Sequence, residues 1–151
     1  MVTGGSIEIL LVEDNPDDLE LTLKTFEEFN ITNRRHVARD GAEALDFVFR
    51  RGPYANRDPR DHPKVILLDI KLPLVDGLEV LRQIKQDPAI RTIPVVLLTS
   101  SQEDRDIAEG YRLGANSYIT KPVVFEQFAA AVGSLGMYWL RLNRPPASGA
   151  A

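Results

Sequence analysis

Five residues of this sequence supply carboxylate, hydroxyl and ammonium groups, and each comes at the end of a short apolar run: Glu13, Asp14, Asp69, Thr99 and Lys121. Carboxylates that lie close together repel and raise one another's pKa unless a cation offsets their charge. Oxygen ligands without histidine or cysteine favour Mg²⁺ or Mn²⁺. One carboxylate can then act as a nucleophile toward a phosphoryl group. The ammonium and the hydroxyl can bind the phosphoryl oxygens, because phosphoryl transfer needs mainly positioning and charge stabilisation.

Short apolar runs alternate with amphipathic stretches along the chain, which predicts the elements that position these groups. Residues 7–12, 36–38, 65–68, 95–98 and 117–120 are predicted strands. The alternation predicts an α/β fold, a single flavodoxin-like, doubly wound domain with five parallel strands and five helices. The strand order 2-1-3-4-5 would place the first and third strands side by side. Glu13, Asp14 and Asp69 would then meet at the carboxyl edge of the sheet, where ligands bind in such folds.

Polar residues mark the predicted helix starts. Asn15 is the predicted cap of a helix that begins at Pro16. Capping-box spacing recurs at three later starts, namely Asp40 with Glu43, Asp76 with Glu79, and Ser100 with Glu103. The longest apolar stripe at helical spacing is that of the last predicted helix: Phe125, Phe128, Ala129, Val132, Leu135, Gly136 and Trp139.

Composition excludes several classes of protein. The 151 residues carry a net charge of −4, contain no cysteine and have two histidines. Disulfides, thiolate chemistry and iron–sulfur clusters are therefore excluded, and the mild acidity argues against a nucleic-acid partner. No apolar run is long enough for a membrane span, so a cytoplasmic location is expected. The tails at residues 1–6 and 143–151 are predicted to be disordered.

Four segments together resemble the receiver domain of two-component response regulators: LLVEDN at residues 10–15, LLDIKLPLVDG at 67–77, LLTSS at 97–101 and GANSYITKP at 114–122. The resemblance covers residues 7–142. It implies that a histidine kinase phosphorylates Asp69, and that the chain is a signalling switch rather than an enzyme, with only self-phosphorylation and self-dephosphorylation. Because the sequence ends soon after the last predicted helix, we expect output through protein contacts rather than through a DNA-binding or enzymatic domain.

The same resemblance implies a role for each site residue. Mg²⁺ would be bound by Asp14, Asp69 and the backbone carbonyl of Lys71, with Glu13 helping through water. Lys121 would pair with the phosphoryl oxygens, and the peptide to Pro122 would be cis. The implied switch residues are Thr99 and Tyr118. The residues implied to tune the rate of dephosphorylation are Lys71 and Ser101, and Lys71 would lie over the phosphoryl and slow its loss.

Three further features resemble the single-domain regulators that pair with phytochrome-type histidine kinases. They are an insertion at residues 51–64, the DIKLP turn at 69–73 and the GMYWLRLNRPP tail at 136–146. The resemblance implies a phytochrome-type kinase as partner. The insertion itself has two readings, a tolerated surface loop or a loop that contacts a partner.

The last predicted helix carries apolar residues on more than one side, which favours a protein interface. In the receiver domains that this sequence resembles, the face built by the fourth helix, the fifth strand and the fifth helix is a usual dimerisation surface. The resemblance therefore implies a homodimer through this face. Its predicted contact residues are Tyr111, Phe125, Phe128, Val132 and Trp139.

Two other functional classes stay open. A pseudo-receiver would act as an interaction module without phosphorylation. A small α/β enzyme would be a flavin carrier or an aspartate-nucleophile phosphatase. Against the enzyme, no glycine-rich loop follows the first strand, and Lys71 stands where the phosphatase family has a second aspartate.

Overall fold

The computed structural model describes residues 7–100 and 104–134, in which five strands alternate with five helices. The strands are β1 Ile9–Val12, β2 Arg35–Ala38, β3 Val65–Asp69, β4 Val95–Thr99 and β5 Ser117–Thr120. The helices are α1 Pro16–Glu28, α2 Gly41–Val48, α3 Gly77–Gln86, α4 Asp104–Arg112 and α5 Phe125–Ser134. All five predicted strands are present, although β1 begins at Ile9 rather than at residue 7.

The strands form one parallel sheet in the order β2-β1-β3-β4-β5, as predicted. Val12 at the end of β1 pairs with Leu68, and Asp69 at the end of β3 pairs with Leu98. The carboxyl ends of the three central strands therefore lie at one edge of the sheet. This register brings Glu13, which follows β1, together with the last residues of β3 and β4.

The core has two layers because successive strand residues point to opposite faces. Leu10 and Val12 pack with α2 and α3 on one face, while Ile9 and Leu11 pack with α1 and α5 on the other. β1, β3 and β4 are buried along their full length. Their continuous apolar runs are what a parallel sheet covered on both faces requires.

Side-chain caps form at two of the predicted helix starts. Asn15 accepts hydrogen bonds from the backbone N–H groups of the first turn of α1 at 2.9 and 3.0 Å. Asp40 accepts from Glu43 N at 2.7 Å. The capping box predicted at Asp76 is wrong, since Asp76 makes no side-chain cap bond. Glu79, whose carboxylate would form the second bond of the box, pairs with Arg82.

The apolar stripe of α5 packs on the sheet rather than facing solvent. Phe125, Phe128 and Val132 are all buried in the core layer shared with α1. The Phe128 ring lies 5.1 Å from the Phe26 ring of α1. The prediction that these three residues of α5 line a dimer interface is therefore wrong, because the sheet already covers them.

The insertion at residues 51–64 is held against α2 and β2. Tyr54 donates a hydrogen bond to Glu43 at 2.7 Å, and its hydroxyl lies 3.1 Å from His36 Nε2. The guanidinium of Arg57 stacks 3.8 Å over the Phe47 ring and donates to the Phe47 carbonyl. The insertion thus packs along the β2 side of the sheet. Both of its predicted roles, a tolerated surface loop and a loop that contacts a partner, stay open.

Some predictions fall outside the described residues. They concern the two tails, Ser101, Glu103, Leu135, Gly136 and Trp139, as well as the end of the domain at residue 142. Within residues 7–100 and 104–134, no helix has the length and apolar character that crossing a membrane requires.

Candidate functional site

The carboxyl edge of the sheet positions the acidic residues. Asp69 is the last residue of β3, and Glu13 directly follows β1, where its N–H donates to the Ala38 carbonyl at 3.0 Å. Both carboxylate residues are buried, whereas Asp14 is exposed. The predicted meeting of these three residues is confirmed, since one ligand oxygen from each lies within 4.8 Å of the others.

This acidic cluster, defined as Glu13, Asp14 and Asp69, has the chemistry of a divalent-cation site. It offers oxygen ligands alone, one of them open to solvent. Burial is the largest cause that raises the pKa of Glu13 to about 7, and the Asp69 carboxyl acts in the same direction. A hard cation bound here would oppose this repulsion between carboxylates.

Lys121 supplies the positive charge of the site. Its ammonium donates to Asp69 Oδ2 at 2.9 Å and to Glu13 Oε1 at 3.1 Å, and it lies 3.0 Å from Asp18 Oδ2. Burial lowers the pKa of this ammonium, but the hydrogen bonds to the carboxylates outweigh burial and the pKa is raised overall. Lys121 is therefore a fixed cation beside Asp69. Its peptide bond to Pro122 is cis, as the sequence resemblance implied.

The two predicted switch residues lie on β4 and β5. Thr99 is buried at the end of β4 and pairs in register with Thr120. Tyr118 lies two residues earlier on β5 and is 41% exposed. Its ring packs edge to face against the ring of Tyr111 on α4, with centroids 6.2 Å apart. The roles of Thr99 and Tyr118 in switching stay predictions.

Lys71 lies beside Asp69 through its backbone and reaches α4 through its side chain. Its N–H donates to Asp69 Oδ1 at 3.1 Å. Its ammonium pairs with Asp106 Oδ2 at 3.7 Å. The tuning role predicted for Lys71, and the predicted metal contact of its carbonyl, both stay predictions.

Sequence reasoning missed two carboxylates that contact the lysines of the site. Asp18 pairs with Lys121, and Asp106 pairs with Lys71. In the sequence, Asp18 stands out only as an acidic residue in the first turn of α1. The favourable interaction of a carboxylate with the helix dipole explains that position equally well. Only the packed fold shows that this turn faces Lys121.

Comparison with curated proteins places this arrangement among known signalling proteins. Residues 9–133 match the response regulator receiver domain family. The chain is 43% identical over 139 residues to the probable methanogenesis regulatory protein FilR2 of Methanothrix harundinacea, covering 91% of this chain and 86% of that protein. It is 39% identical over 140 residues to the response regulator Rcp1 of Synechocystis, covering 93% of each chain.

Solved structures agree with this relationship. The bacteriophytochrome response regulator AtBRR is 52% identical with a TM-score of 0.82, over 93% of this chain and all of that one. The Mn²⁺-bound form of Rcp1 is 38% identical with a TM-score of 0.72, over 92% of this chain and 98% of that one. A phosphorylated cyanobacterial phytochrome response regulator, RcpA, is 38% identical with a TM-score of 0.73, over 90% and 95% of the two chains. With its sheet order, acidic cluster and fixed lysine, this chain belongs to the receiver domain family of two-component response regulators.

Proposed function

We propose that this chain is a phosphorylation-dependent signalling switch that accepts a phosphoryl group on Asp69 from a histidine kinase. The observation that carries the proposal is the contact of Asp69 with Lys121 at 2.9 Å inside the acidic cluster. A buried carboxylate with a fixed ammonium at one oxygen is positioned for attack on phosphorus, while the ammonium stabilises the charge that develops on the phosphoryl oxygens.

The transfer is a displacement at phosphorus. An oxygen of Asp69 attacks the phosphorus, the bond from phosphorus to the kinase imidazole nitrogen breaks, and the imidazole leaves with the electron pair. The product carries about 1.5 to 2 negative charges on the new phosphoryl group. Lys121 pairs with this charge, and we assign to Thr99 the hydroxyl that donates to another phosphoryl oxygen. The chain then acts on no separate substrate and only gains and loses its own phosphoryl group.

We assign Mg²⁺ as the cation of the acidic cluster, with Mn²⁺ as a substitute. The ligands would be Asp14, Asp69 and the Lys71 carbonyl, and Glu13 would help through water. The Mn²⁺-bound form of Rcp1, a relative of this chain, supports a divalent cation as ligand, and the acidic cluster gives its place. When bound, the ion offsets the charge of the carboxylates and of the incoming phosphoryl group.

Intact-mass spectrometry after incubation with Mg²⁺ and acetyl phosphate tests the function. We expect the wild type to gain one phosphoryl group and Asp69→Asn to gain none. The matched control is Asp76→Asn, which changes an exposed aspartate of the following loop and should gain one group like the wild type. A wild type that gains no phosphoryl group and binds no Mg²⁺ would support the pseudo-receiver instead.

For the upstream partner we propose a phytochrome-type histidine kinase. The support is the likeness to the bacteriophytochrome response regulator AtBRR and to the cyanobacterial phytochrome response regulator RcpA, together with the inserted loop and tail noted in the sequence. We place this exchange in the cytoplasm, which the cysteine-free composition favours.

We also propose that the protein forms a homodimer through the face built by α4, β5 and α5. Tyr111 on α4 and Tyr118 on β5 are 47% and 41% exposed and adjoin each other. Two neighbouring aromatic rings on a surface are the kind of group that protein interfaces bury. The two-fold symmetric dimer is the commonest arrangement of soluble oligomers.

Sedimentation velocity tests the dimer. Tyr111→Glu and Trp139→Glu should each give a monomer at concentrations where the wild type is a dimer, because a buried carboxylate without a partner opposes association. The control Leu21→Glu alters a similarly exposed apolar residue on α1 and should leave the dimer intact. A wild type that stays monomeric at high micromolar concentration would contradict the proposal.

A further inference from the structure

One ion pair connects the loop after β3 to α4. The Lys71 ammonium lies 3.7 Å from Asp106 Oδ2, and the two side chains are 69% and 16% exposed. The Oδ2 atom of Asp106 is itself buried and accepts no hydrogen bond in the part of the chain that the structure describes. The pair is loose, since a buried carboxylate oxygen depends on an ammonium that is largely in water and too distant for a hydrogen bond.

The backbone of Lys71 is held beside Asp69, whereas its side chain is exposed and flexible. Its N–H is held by Asp69 Oδ1 at 3.1 Å, so the residue is anchored beside the proposed phosphorylation site. The side chain beyond that anchor is a flexible four-carbon stem. Lys121, in contrast, is buried and already paired with Asp69, Glu13 and Asp18. Of these two cations, Lys71 is the one whose position can respond to new charge.

We propose that Asp106 is a positioning residue that competes with phosphorylated Asp69 for the Lys71 ammonium. The inference rests on the proposed function, because it needs a phosphoryl group on Asp69. That group carries about 1.5 to 2 negative charges, whereas Asp106 carries one. It can also accept a direct charge-assisted hydrogen bond, which the pair with Asp106 lacks. Phosphorylation therefore draws the ammonium from α4 to the phosphoryl group.

This exchange has two consequences. On phosphorylation Asp106 loses the Lys71 ammonium, so the start of α4 is coupled directly to the chemistry at Asp69. In addition, Asp106 shortens the lifetime of the phosphorylated state. In hydrolysis water attacks phosphorus, the bond from phosphorus to the Asp69 oxygen breaks, and inorganic phosphate leaves as the carboxylate re-forms. An ammonium seated on the phosphoryl group obstructs that attack, and Asp106 withdraws the ammonium.

The decay of phosphorylated protein, followed by intact mass after acetyl phosphate is removed, tests the inference. Asp106→Asn should lengthen the lifetime about two- to fivefold, the effect of one partly exposed ion pair. Lys71→Ala should shorten the lifetime, and Asp106→Asn should have no effect in the Lys71→Ala background. Asp106→Glu keeps the charge and should retain the wild-type lifetime. The matched control is Glu109→Gln, which removes a carboxylate of the same helix that pairs with Arg112.

The possible results separate this inference from the proposed function. Phosphorylation of the wild type with the same lifetime in Asp106→Asn would overturn the inference and leave the function standing. If Asp106→Asn lengthened the lifetime of the phosphorylated protein equally in the wild-type and Lys71→Ala backgrounds, the inference would also be overturned, because Asp106 would then act by another route. A wild type that takes up no phosphoryl group would overturn both. Thermal melting of each variant establishes that the lifetimes compared are those of folded protein.

Discussion

Replacing Lys121 by methionine should slow phosphorylation of Asp69 by acetyl phosphate about 10²- to 10³-fold. That is the usual cost of removing one fixed donor from a developing oxyanion. Methionine keeps an unbranched apolar side chain, one atom shorter than that of lysine, but has no charge. The ammonium that contacts Asp69 Oδ2 at 2.9 Å is then missing at the phosphoryl oxygens. The rate is measured by intact mass over a time course at saturating Mg²⁺.

The control for this prediction is Lys24→Met, which makes the same change at an exposed position of α1. It should phosphorylate at the wild-type rate, since a small donor needs no docking surface. Because Lys121→Met leaves the buried Glu13 without its cation, the variant should also unfold at a lower temperature. Its rate is therefore measured well below that melting temperature. A folded Lys121→Met protein with a rate within threefold of the wild type would contradict the proposed mechanism.

Replacing Phe128 by alanine should lower the free energy of unfolding by about 3–5 kcal/mol, as expected for a phenylalanine removed from a core. The side chain is completely buried and its ring adjoins that of Phe26. A domain of this size is stable by only about 5–15 kcal/mol. The variant should therefore lose a large share of its stability, as measured by urea unfolding followed by circular dichroism.

The control Val124→Ala truncates an exposed apolar residue just before α5 and should change stability by less than about 0.5 kcal/mol. The pair of variants also separates a core role from an interface role for Phe128. A core residue lowers the unfolding free energy at every protein concentration. If Phe128→Ala instead left a stable monomer and removed only a concentration-dependent part of the stability, the assignment of Phe128 to the core would be wrong.

Much of the site could be predicted from the sequence because its geometry follows from strand ends. Asp69 and Thr99 each close a β-branched apolar run, and Glu13 follows another. In a parallel sheet these runs must end at one edge. Their convergence therefore needed only the strand order, which the structure confirms. The cap at Asn15 could be predicted for a similar reason, since its hydrogen bonds reach only two and three residues along the chain.

Predictions failed where a residue had two reasonable partners. The spacing of Asp76 and Glu79 fits a capping box, but Arg82 one turn later takes the Glu79 carboxylate. The apolar residues of α5 fit a core or an interface equally well. The length of the apolar stripe does not indicate how much of the stripe packs against the sheet. In the structure, Phe125, Phe128 and Val132 are buried. In each case the outcome depends on competition between contacts rather than on spacing.

The sequence alone therefore determined the α/β class, the strand ends and the residues placed at those ends, because apolar periodicity and the identity of the terminal residues are local properties. Tertiary structure alone decided which cation meets which carboxylate. Asp18 contacts Lys121 across more than 100 residues, and Asp106 contacts Lys71 from a different helix. Such pairs depend on distances of a few ångströms between packed elements, since a charge interaction is strong only at close approach. No pattern along the chain encodes those distances.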